Sequence, residues 1–139
     1  MNGKLVFQLS MFGLAMALLT VFTISSNTEP FFWLPIFLIS AYLIAKQAPG
    51  RYFLHGFALG LANCVWVTAA HIAFFNHYLG THPREAAMMD KMPMPDSPRL
   101  MMLMTGPVIG IVSGCVIGLF AFLAHKLLSG RPAQPASHR

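Results

Sequence analysis

Charge is what this chain has least of. Asp, Glu, Lys and Arg make up 9% of its 139 residues, against about a quarter in an average soluble domain. So few charges cannot cover a water-facing surface. Disorder is excluded as well, because it needs high charge and few aromatics, and this chain has 12 Phe and is 56% hydrophobic. Cysteine is nearly as scarce: Cys64 and Cys115 are the only two, which rules out a disulfide framework. No H-E-x-x-H, C-x-x-C, phosphate loop or Ser-His-Asp set is present. The chain therefore reads as non-enzymatic, with no catalytic residue to name and no resident cofactor expected.

What is present is apolar sequence in long blocks. Residues 5–28, 30–45, 52–83 and 100–125 contain no Asp, Glu, Lys or Arg. Crossing a hydrocarbon core of about 30 Å takes roughly 20 mostly apolar helical residues. The blocks predict an all-α integral membrane four-helix bundle occupying residues 1–128 as one domain. Its helices are expected near 5–25, 31–48, 52–75 and 103–127, with a loop over 76–100 and a flexible tail over 129–139. Asn27-Thr28-Glu29-Pro30 has the features of a helix start, with a capping side chain, an early acid and Pro in the first turn. No small-x-small cleavage site follows the first block, so the first helix is read as uncleaved.

The sparse charges are sorted by position. With the N-terminus inside, Lys4, Lys46, Arg51, Lys126, Arg131 and Arg139 are cytoplasmic. Arg84, Lys91 and Arg99 are then outside, together with all four acids, Glu29, Glu85, Asp90 and Asp96. The positive-inside rule favours this orientation, with both termini cytoplasmic. The formal charge of +5 is thus a topology signal, and no nucleic-acid partner is implied. The first partner is the lipid bilayer.

The loop carries the least ordinary composition. Met88, Met89, Met92, Met94, Met101, Met102 and Met104 are seven of the ten methionines, with His77 and His82 nearby. Pro83 followed by Glu85 predicts a short helix over 83–92, after which Pro93, Pro95 and Pro98 are expected to enforce an extended path. Two readings stand. Soft thioethers suit Cu(I), so Met88, Met89, Met92 and Met94 with His77 and His82 form a candidate metal site of a permease or tolerance protein. Alternatively, methionine is a flexible apolar residue suited to a helix lying in the headgroups.

Within the spans, Gly106, Gly110, Gly114 and Gly118 recur every fourth residue, and Gly56 and Gly60 repeat that spacing on the third helix. Small residues at this interval let helices approach closely where lipid removes the hydrophobic drive for association. Such a glycine zipper serves packing inside one bundle, a homo-oligomer or larger membrane complex, or the lining of a small channel. Cys64, Thr68 and His71 share one helix face, and Cys64 and Cys115 both lie about 17 to 18 Å from the cytoplasmic ends. A metal relay through Cys64, His71 and Cys115 is one reading. Ordinary buried thiols and a hydrogen-bonded histidine are the other.

Three segments carry a resemblance: Gly56-Phe57-Ala58-Leu59-Gly60-Leu61, His82-Pro83-Arg84-Glu85, and Gly106-Pro107 with Gly110 and Ser113-Gly114. In their order the chain resembles small four-span bacterial inner-membrane proteins of unknown function. The resemblance implies a bacterial cell membrane and four helices, and no activity. The expected role is that of an accessory or structural interaction subunit.

Overall fold

The computed structural model describes residues 1–89 and 91–130, so most of the expected tail lies outside the described residues. Those residues form six helices and no strand. They are α1 (Gly3–Phe22), α2 (Glu29–Gln47), α3 (Tyr52–Ala73), α4 (Phe75–Thr81), α5 (Pro83–Met89) and α6 (Pro98–Ser129). Four of them, α1, α2, α3 and α6, are long and apolar enough to cross a membrane.

The helix ends follow from local chemistry. The Asn2 side chain caps α1 by accepting from the Leu5 amide at 3.1 Å. Thr28 precedes α2 but does not cap it; its hydroxyl donates back to the Ser25 carbonyl at 2.9 Å, inside the preceding turn. At the other end of α2, Ala48 precedes Pro49 and is extended (φ −77°, ψ 138°), the conformation proline favours in the residue before it. Gly50 (φ 139°) and Arg51 (φ 52°) then turn the chain into α3.

Two departures from the sequence expectation concern the segment 76–100. It is largely helical, because α4 begins one residue after α3, with only Phe74 (φ −105°, ψ 30°) out of register. Pro98 starts α6 rather than forbidding it, since proline in a first turn gives up an N–H that has no helical partner there. α6 consequently runs 32 residues with Pro107 inside it, about 48 Å, which is longer than a bilayer core requires. α5 ends at Met89, leaving Met92 beyond it.

α3 and α6 form the tightest pair. Running antiparallel, they set Gly56 against Gly118, Gly60 against Gly114, Cys64 against Gly110 and Thr68 against Gly106. A methyl group on Gly56 would lie 2.5 Å from the Gly118 amide nitrogen, so the backbones touch with nothing between them. All four glycines of α6 are buried on this face. The glycine stripe is therefore covered by the chain's own α3.

α1 lies along the other side of α3 and is joined to it by polar contacts. The Asn2 amide donates to His55 Nε2 at 2.8 Å, Trp66 Nε1–H donates to the Ser10 hydroxyl at 3.2 Å, and Asn63 fills the space beside Gly13. α2 completes the bundle against α6. Near the start of α1 all four long helices meet around Ile44, Leu59 and Ile117, each fully buried, with Leu5, Leu9, Ala41 and Ala121. At the opposite end, where α4 and α5 sit, that convergence is lost.

A cleft between three helices

Where α2 separates from the α3–α6 pair, a cleft of about 570 Å³ opens. α2 lines it with Glu29, Pro30, Trp33, Leu34 and Phe37; α3 with Asn63, Cys64, Val67, Thr68 and His71; α6 with Met102, Thr105, Gly106, Ile109 and Ser113; and α4 adds Tyr78. These sets follow helical spacing. Residues 63, 67 and 71, like 105, 109 and 113, are separated by four and lie on one face of their helix. Ser113 to Met102 along α6 is about 16 Å of helix.

The cleft is mostly apolar, with polar groups at both ends. At the end near α4, Trp33 Nε1–H donates to Glu29 Oε1 at 3.0 Å. His71 Nδ1–H donates to the Val67 carbonyl at 2.7 Å, and the His71 ring meets Tyr78 edge-on at 4.3 Å. Burial, reinforced by the Glu85 and Glu29 carboxylates, pushes the Tyr78 phenol up to about 12, against a hydrogen bond with Ser26 that lowers it. At the deep end Asn63 is 5% exposed, and among the described residues neither of its amide atoms has a partner.

Of the expected relay residues, the cleft brings together Cys64 and His71, with Thr68 between them; Cys64 Sγ and the Thr68 hydroxyl are 3.8 Å apart. Cys115 does not join them and is exposed. Its depth along α6 matches that of Cys64, but it follows Gly114, and one residue turns a helix by about 100°. That rotation carries the thiol off the α3-facing line.

The methionine–histidine set is spread out. Met88 is exposed, Met89 is buried, and Met92 and Met94 lie in the turns after α5. His77 is exposed and packs on Phe22 at 4.8 Å. His82 is 4% exposed and holds the chain together at this end. Its Nε2 lies 3.0 Å from the Ile24 carbonyl, and its Nδ1 lies 3.0 Å from the Tyr78 carbonyl and 2.9 Å from the Thr81 hydroxyl. In the neutral ring Nε2–H donates to Ile24 while Nδ1 accepts from Thr81. Cu(I) capture by His82 would have to break one of these bonds. Among the described residues no three His, Cys, Asp or Glu side chains form a metal-sized group.

Sequence reasoning missed Glu29, Trp33 and Tyr78 as parts of one site. Glu29 was expected only as the early acid of a helix start and as one of the outer acids. The available signal was the four-residue spacing of Glu29 and Trp33, which places both on the face of α2 that also carries Phe37. Comparison with known proteins finds no matching family, curated relative or solved structure.

Proposed function

We propose that the chain is a non-enzymatic multi-pass protein of the bacterial inner membrane, an accessory subunit that holds a small amphipathic molecule in the cleft between α2, α3 and α6. The observation that carries this reading is the contrast between the two ends of the bundle. One end is packed down to touching glycine backbones, while the other keeps about 570 Å³ open. Ligand sites in proteins have this size and this mix of apolar walls with a few polar groups. The distribution of basic residues supports cytoplasmic termini, which puts the cleft in the outer half of the membrane.

The test is extraction and mass spectrometry of protein purified in native nanodiscs. A stoichiometric small molecule is expected on the wild type and is lost in Thr105→Phe, which fills the cleft. A wild type carrying nothing beyond bulk lipid, or a Thr105→Phe protein that retains its ligand, would overturn the reading. Thermal unfolding of Thr105→Phe close to that of the wild type establishes that the loss is local.

A further inference from the structure

The hydrogen-bonding groups of the cleft are unevenly spent. Trp33 Nε1–H is committed to Glu29 at 3.0 Å. The Thr105 hydroxyl donates to the Met101 carbonyl at 3.0 Å, and the Ser113 hydroxyl donates to the Gly110 carbonyl at 3.2 Å. His71 uses Nδ1–H on the Val67 carbonyl, so the neutral ring retains only the lone pair of Nε2. Each of these donors is turned inward, onto the helices themselves. What these groups leave for a visitor is acceptors: the Glu29 carboxylate, the oxygens of Thr105 and Ser113, and Nε2 of His71.

Charge points the same way. Among the described residues no Lys or Arg lines the cleft, and Glu29 is the only Asp or Glu that does. Trp33 stands beside that carboxylate, with Phe37 one turn further along α2 at 5.7 Å between ring centroids. Aromatic faces attract cations, Trp most strongly.

From this set we infer that the cleft selects a protonated amine carried on an apolar body, with the ammonium group at Glu29 and the body running toward Asn63. This rests on the reading of the cleft as a ligand site and names the class of ligand. Carboxylates and phosphates are disfavoured, because the lining offers them no cation. A phospholipid would leave its phosphodiester unpaired at the same place. Asn63 and His71 are about 12 Å apart along α3, which suits an aliphatic chain of about ten carbons.

The probes are n-decylammonium, n-decanol and n-decanoate, which share one chain and differ in head-group charge. Each is added at a matched mole fraction to nanodiscs containing the full chain at neutral pH. Two quantities are read: the rate at which N-ethylmaleimide labels Cys64, with Cys115 replaced by Ser, and the midpoint of thermal unfolding. The expected result is that decylammonium slows Cys64 labelling about tenfold and raises the midpoint, a selectivity of the size a charge-assisted hydrogen bond supplies. Decanol and decanoate change neither quantity by more than a small fraction of that. Glu29→Gln keeps an acceptor for Trp33, so it is expected to fold and to lose the preference for the ammonium probe. Equal effects of all three probes, or an undiminished preference in Glu29→Gln, would overturn the selectivity while leaving the ligand-site reading in place. No effect of any probe on either quantity would overturn both.

Discussion

Asn63 of α3 occupies the space that Gly13 of α1 leaves by having no side chain. A methyl group on Gly13 would collide with the Asn63 amide oxygen. Gly13→Ala should therefore destabilise the bundle by about 1–3 kcal/mol, the usual cost of overpacking. Asn63→Ala in the same chain should recover most of that loss. Unfolding of the four members of this double-mutant cycle in detergent measures the coupling, and additive effects would show that the two residues do not meet.

The Gly60–Gly114 crossing is less forgiving, because the obstacle is backbone rather than a side chain. Gly60→Leu is expected to drive α3 and α6 apart and abolish the folded bundle in mild detergent. Met16→Leu, a volume-conserving swap at a buried position, should cost less than about 1.5 kcal/mol. Comparable losses at the two positions would contradict the crossing geometry.

Tyr78 gives the α4 end a pH dependence of definite sign. Its folded-state pKa is raised from 10 to about 12, so the folded state prefers the neutral phenol. The stability this contributes is fully present below pH 10 and is lost as the pH rises toward 12. Absorbance titration of phenolate should show a late transition that Tyr78→Phe removes, and the same substitution should flatten the stability loss over that interval.

The two thiols should differ in what governs their reactivity. Cys64 lies in the cleft and Cys115 is exposed on α6 away from it. Thr105→Phe is expected to slow maleimide labelling of Cys64 several-fold and leave Cys115 unchanged. Parallel slowing at both would mean that the substitution acts on the whole bundle.

His82→Ala removes the bridge to the Ile24 carbonyl and leaves that buried acceptor unpaired. A cost of about 1–3 kcal/mol follows, localised to the α1–α2 connection. Hydrogen exchange should show faster opening over residues 23–28 while the core around Ile44 and Leu59 stays protected.

The four long helices were legible in the sequence because span length and charge exclusion are one-dimensional properties. The glycine spacing was legible for the same reason, and its partners on α3 could be named. The start of α6 was not, because Pro98 has the same covalent restriction whether it breaks a helix or opens one, and only its position decides which. α4 was hidden because Phe74 interrupts the helix without any change of composition. In the site, the Cys64–Thr68–His71 face followed from spacing alone. The role of Glu29 did not, because a carboxylate at a helix start already has a sufficient local reason to be there. Cys115 was misplaced by an argument from depth that ignored rotation about the helix axis.

The touching backbones of α3 and α6 make the cleft a vice with one fixed jaw. That pair has no side-chain layer to compress between Gly60 and Gly114, so a change in cleft width must come from α2. α2 is also the least buried of the four long helices, and it carries Pro35 within the stretch that lines the cleft. Proline removes the hydrogen bond that would return to the Phe31 carbonyl, the usual cause of a bend. The admitting wall is thus the one already notched, and Pro35→Ala should stiffen it and slow the labelling of Cys64 without altering the α3–α6 seam.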